Sequence, residues 1–125
     1  MKKIFLFFSH RLNDIQEKEL MEKWAIDRYI YLPNCLQYKW SNIDPHILEI
    51  DISPFTGWIE ANSNSEDIFL VQGDFGATFK LVTFLKLKGN TVIYSTTERV
   101  CCESPDNNDG VKITHRYKHI QFREY

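Results

Sequence analysis

The chain has 125 residues, a mass of 14.9 kDa and a formal net charge of -2. That length suits a single domain, residues 1–125, with a core of its own; 43% hydrophobic and 26% charged residues exclude intrinsic disorder and collagen-like repeats. A pI near 6.1 supplies no global basic field, which argues against duplex DNA and leaves room for a compact site for a small anionic ligand.

Cys35, Cys101 and Cys102 are an odd set with no Cys-x-x-Cys spacing, a poor disulfide framework and a poor zinc site. They read as reduced thiols in a cytoplasmic protein. The apolar run Ile4 to Phe8 superficially resembles a secretory signal, but it is short and stops at Ser9-His10-Arg11. No stretch is long enough to span a membrane, so none is expected as a partner.

Four apolar runs read as strands: Ile4 to Phe8, Tyr29 to Leu32, Ile68 to Val71 and Val92 to Tyr94. They are rich in β-branched and aromatic residues and do not alternate, as in a parallel sheet covered on both faces. A first helix is expected from Asn13 to Ala25, with Asn13 as N-cap, Gln16 completing a near capping box, and Ile15, Leu20, Met21 and Trp24 as the buried stripe. A second is expected from Pro45 to Asn62, capped by Asp44, with Ile43 and Leu48 as a hydrophobic staple. Pro54 should kink it or restart it behind Ser53. A third is expected from Gly76 to Lys88, carrying Phe79, Val82, Thr83 and Leu87 and stopping at Gly89-Asn90.

The alternation of strand and helix predicts an α/β fold with right-handed parallel crossovers. After Tyr94 the pattern changes. Glu98 to Glu103 and Val111 to Phe122 alternate polar and apolar residues around the turn cluster 104–110, which predicts a C-terminal β-hairpin that extends the sheet edge or pairs with a second copy.

Ligands of open parallel sheets bind beyond the carboxyl ends of the strands. That rule selects Ser9, His10 and Arg11 after the first strand, Pro33 and Asn34 with Trp40, Ser41 and Asn42 after the second, Gln72 to Thr78 after the third, and Ser95, Thr96 and Thr97 after the fourth. Gly73 and Gly76 allow backbone to approach a ligand, although the loop is neither a Walker A loop nor a dinucleotide fingerprint; a tight turn capped by Asp74 is the structural alternative. Ser9 can donate to a phosphate, Arg11 can grip one in a fork, and His10 can exchange a proton near neutral pH. Trp40 offers a ring to a base, or belongs to the core. Lys112, His115, Arg116, Lys118, His119 and Arg123 form a local basic strip, most simply a solvated hairpin face. No nucleophile triad is readable. His115 and His119 are too far apart on a strand to share a metal, and neither metal nor cofactor is expected.

The segments Lys2 to His10, Trp40 to Pro45, Val71 to Thr78, Val92 to Arg99 and His119 to Tyr125 together resemble a small stand-alone Csx-type family encoded with type III CRISPR systems, with a CARF-like Rossmann fold. Gln72-Gly73-Asp74-Phe75-Gly76-Ala77-Thr78 is the most specific stretch. The resemblance implies a homodimer that binds a cyclic oligoadenylate, cyclic tetra-adenylate first among the rings, across its two-fold axis. It further implies a metal-independent ring nuclease in which a ribose 2′-hydroxyl attacks its own phosphate and leaves linear products with 2′,3′-cyclic phosphate ends. A non-catalytic sensor or sequestering protein is the alternative. The matching positions are Ser9, His10, Gln72, Gly73, Asp74, Gly76 and Thr78, with Ser95, Thr97 and Arg99 less closely. Within that reading Ser9, His10 and Asp74 are the catalytic candidates, with Asp74 also able to cap a helix or orient an arginine. Arg11, Gln72, Gly73, Gly76, Thr78, Ser95, Thr97 and Arg99 hold phosphates, and Trp40 or Phe75 stacks an adenine.

Overall fold

A computed structural model describes residues 2–105 and 110–125, without the side chains of Cys102 and His115. Five strands form one sheet: β1 (Lys3–Phe7), β2 (Arg28–Tyr31), β3 (Ile68–Val71), β4 (Thr91–Pro105) and β5 (Val111–Glu124). Their order is β2-β1-β3-β4-β5, with the first four parallel and β5 antiparallel to β4. The helices are α1 (Asp14–Trp24), α2 (Asn34–Ser41), α3 (Ser53–Asn62) and α4 (Phe75–Leu87). The expected α/β fold with a mostly parallel sheet is present.

The apolar runs become strands because both faces of the central pair are buried. On one face Phe5, Phe7, Phe69, Val71 and Val92 pack beneath Leu36 and Trp40 of α2, Phe55 and Ile59 of α3, and Ala77, Leu81 and Leu85 of α4. On the other Ile4, Leu6, Ile68, Leu70 and Ile93 meet Leu20 of α1, Ile26 and Phe122. Alternate residues of one strand thus serve two cores. Rings fix the first: Phe5 stacks on Phe69 with centroids 4.9 Å apart, and Phe7 meets Trp40 edge-on at 5.3 Å.

Helix α1 starts as read. Asn13 Oδ1 accepts from Gln16 N at 2.9 Å and Gln16 Oε1 accepts from Asn13 N at 3.0 Å, a complete capping box. Its stripe is narrower than expected. Leu20 is buried and Trp24 packs against the same core, but Ile15 and Met21 are exposed. Helix α4 shows the same correction. Ala77, Leu81 and Leu85 face inward, while Phe79 and Leu87 face water.

The second helix departs most from expectation. Residues Ile43 to Ile52 are not helical, so Pro45 opens no helix and Ile43 and Leu48 make no staple; Leu48 is fully exposed. Asp44 closes a local turn instead, accepting from His46 N at 2.9 Å. A short helix, α2, forms earlier, and the restart begins at Ser53. Ser53 is its first residue rather than its cap: Asp51 Oδ1 accepts from Ser53 N at 2.9 Å, a bond that holds the Asp51 carboxyl below the usual carboxylate range. Pro54 sits in the first turn, where its missing N–H costs nothing.

The expected hairpin is the long β4–β5 pair; residues 106–109 of the expected turn cluster lie outside the described residues. The fourth strand does not stop at Tyr94. It runs on to Pro105, so Ser95, Thr96 and Thr97 lie within a strand and not in a loop after it.

Candidate functional site

The chain leaves β1 for β2 on one side and returns to β3 on the other, so the switch point lies between β1 and β3. Two adjoining cavities open there. The larger, about 520 Å³, is lined by Phe8, His10, Arg11, Asn13, Gln16, Gln72, Ser95, Thr97, Tyr117 and His119. The smaller, about 260 Å³, shares Phe8, His10 and Arg11 and adds Ser9, Tyr31, Leu32, Asn34 and Gln37. The structure therefore brings Ser9, His10, Arg11, Gln72, Ser95 and Thr97 into one cleft, with Phe8-His10-Arg11 as the ridge between its halves.

Each is held differently. The Arg11 guanidinium lies 5.3 Å from the Tyr31 ring centroid, and no ion pair to it forms among the described residues. The His10 ring meets Phe8 edge-on at 5.5 Å. Ser41 Oγ donates to Ser9 Oγ at 3.1 Å, with Gln37 Nε2 behind it at 3.0 Å from Ser41 Oγ. Gln72 takes over where the β3–β4 ladder ends. Its backbone N–H still bonds Phe7 O at 2.9 Å, and its Oε1 accepts from Ser95 N at 2.8 Å, which leaves its amide nitrogen for a ligand.

Gly73, Asp74, Phe75, Gly76 and Thr78 line neither cavity. Gly73 is required by packing: a Cβ there would meet Trp40 Nε1 at 2.9 Å. A Cβ on Gly76 would meet Ile50 Cδ1 at 3.0 Å. Asp74 is the N-cap of α4, its Oδ2 accepting from Ala77 N at 3.0 Å, which is the structural alternative raised by the sequence. Thr78 Oγ1 is buried without a partner, and Phe75 is 95% exposed. Arg99 lies on the hairpin, away from the cleft. Trp40 is a correction. It is 1% exposed, wedged against Phe7 and Phe55, and its indole N–H donates to Gln72 O at 3.0 Å, so it has no free face for a base.

Sequence reading missed the most organised group in the cleft. His119 belongs to no basic surface strip; it is buried. Its Nδ1 bonds Ser95 Oγ, and its Nε2 lies 2.7 Å from Glu19 Oε1. Glu19 Oε2 accepts from Phe122 N at 2.7 Å. The β-bulge in this pair explains the placement. Ser95 pairs with Phe122 and Thr96 with Gln121, but Thr97 pairs with His119, which leaves Ile120 as the extra residue. The bulge turns His119, rather than Ile120, toward α1. A spacing rule for triads cannot see three residues joined by a bulge and a helix packing contact. Among the described residues no cluster could hold a metal ion, and no helix is long and apolar enough to cross a membrane.

Comparison with known proteins gives one family. Residues 2–123 match the model of the family described as uncharacterized protein MJ1673. The chain is also similar to the protein of that name from Methanocaldococcus jannaschii, 43% identical over 128 residues that cover 100% of this chain and 98% of the relative. No solved structure matches.

Proposed function

We propose that this chain, which belongs to the uncharacterized protein MJ1673 family, is a ring nuclease that binds and cleaves cyclic oligoadenylate. The observation that carries the proposal is the cleft at the switch point, where Arg11, His10, Gln72, Ser95 and Thr97 converge on a cavity of about 520 Å³. Arg11, without a carboxylate partner among the described residues, the Gln72 amide N–H and the Thr97 hydroxyl are the kind of donors a phosphodiester needs. The strand order β2-β1-β3-β4, with helices on both faces, supports a Rossmann-like, CARF-like reading of the fold.

Arg11 offsets phosphate charge from the ridge, and the His10 ring, the Gln72 amide and the Thr97 hydroxyl complete the grip. Held there, a ribose 2′-hydroxyl lies in line with its own phosphorus, and positioning supplies much of the rate. Phe75, at the start of α4 and outside both cavities, offers an exposed ring to an adenine that projects from the cleft. A homodimer is part of the proposal. Val111, Ile113, Tyr117 and Ile120 leave apolar surface along β5, which suits a second copy across a two-fold axis.

The test is a titration of isotopically labelled protein with cyclic tetra-adenylate, read by amide shifts. Changes centred on Ser9 to Arg11, Gln72 and Ser95 are expected. Changes confined to other surfaces, or none, would remove the reading. Ligand that binds at the cleft and is recovered intact would leave the sensor alternative.

A further inference from the structure

We infer that Ser95 is the hydroxyl through which the cleft moves a proton, with His119 and Glu19 as the positioning residues behind it. The inference rests on the phosphodiester reading above. Glu19 Oε1 and His119 Nε2 are 2.7 Å apart, with side chains 9% and 3% exposed. An ionised carboxylate only accepts, so Nε2 carries the hydrogen and Nδ1 is left to accept from the Ser95 hydroxyl. Both ring nitrogens are thus taken, and His119 reaches a ligand only through Ser95, which lines the larger cavity beside it.

The geometry is fixed at every joint. Phe122 N holds the second Glu19 oxygen at 2.7 Å, so the carboxylate cannot turn away. Gln72 Oε1 holds Ser95 N at 2.8 Å. The bulge at Ile120 sets the imidazole direction. A nucleophile or proton carrier, a base in contact with it, and a third group that orients the base is the arrangement of an activated hydroxyl.

The ligand's 2′-hydroxyl gives its proton to Ser95 Oγ as Ser95 passes its own to His119 Nδ1, and Glu19 stabilises the imidazolium. The 2′-oxygen bonds to phosphorus and the P–O5′ bond breaks. Water protonates the departing 5′-oxygen, and the relay returns its proton to the hydroxide so formed.

The experiment compares single-turnover cleavage of cyclic tetra-adenylate by wild type, Ser95→Ala and Glu19→Gln, with ligand binding and thermal melting measured in parallel. Glu19→Gln keeps an acceptor for Phe122 N but offers an amide N–H to Nε2. The imidazole must then carry its hydrogen on Nδ1 and donate to Ser95, which disables it as a base without emptying the site. Both variants should lose ~10²–10⁴-fold in rate while binding changes little. Histidine ¹⁵N spectra should show the hydrogen of His119 on Nε2 in wild type and on Nδ1 in Glu19→Gln. Wild-type rates in Ser95→Ala, or a wild-type hydrogen on Nδ1, would overturn the relay and leave ring cleavage standing. A wild-type protein that leaves the ring intact would overturn both. If Glu19→Gln does not fold, Ser95→Ala carries the kinetic arm alone, because it removes one hydroxyl and no packing.

Discussion

Glu19 and His119 lie 100 residues apart in sequence and 2.7 Å apart in space, and the contact ties α1 to β5. It exists because one extra residue in β5, Ile120, shifts the alternation of the strand. Deleting Ile120 should straighten the ladder and leave His119 opposite Thr97, two residues from Phe122 and still facing α1. The His119 side-chain signals should then stay close to those of the wild type. A move to solvent-like positions would contradict the register in which Ile120 is the extra residue.

The glycines separate packing from flexibility. Gly73→Ala places a methyl 2.9 Å from Trp40 Nε1, beside a buried ring whose N–H is already committed. Urea unfolding should show a loss of ~1–3 kcal/mol. Gly57, inside α3, has nothing within 4 Å of an added Cβ. Gly57→Ala should gain ~0.5–1 kcal/mol from helix propensity. Equal effects at the two sites would contradict the close approach of Trp40 to the Gln72-Gly73 turn.

The capping role of Asp74 is also measurable. Asp74→Ala leaves Ala77 N without its acceptor and should cost ~1 kcal/mol, whereas Asp74→Ser, which can still cap, should cost much less. Indistinguishable melting of the two variants would show that the carboxylate does not hold the start of α4.

Tyr125 gives a pH signature. Its hydroxyl donates to Val71 O, and burial, with a smaller contribution from Tyr94, pushes the phenol up to about 12. The folded state therefore prefers the protonated phenol more than the unfolded chain does. The resulting stability is complete below pH 10 and is lost as pH rises toward 12. Tyr125→Phe should lower stability by ~0.5–1.5 kcal/mol at neutral pH and flatten the decline above pH 10. An equal alkaline decline in wild type and variant would place its origin in another group.

Much of the frame was legible because strand burial is a local property. Ile4 to Phe8 and Ile68 to Val71 are apolar without alternation, and both lie at the centre of the sheet. Asn13 and Gln16 announce α1 by spacing alone. The stretch from Asn34 to Ile52 was not legible. Pro45 after Asp44 has the chemistry of a helix start, but the core face is already filled by Trp40 and Phe55, so the intervening residues stay in a loop. In the cleft, Ser9 to Arg11 and Gln72 were found by the strand-end rule, whereas Ser95 and Thr97 were selected for a strand end that the structure does not have, since β4 runs on to Pro105. Glu19 and His119 were not, because neither lies at a strand end and their meeting depends on a bulge and a helix face.

Ring cleavage is read out by incubating the purified protein with cyclic tetra-adenylate in excess chelator and weighing the products by mass spectrometry. Linear oligoadenylate ending in a 2′,3′-cyclic phosphate is the predicted result. Ring recovered intact after long incubation with stoichiometric protein would contradict it.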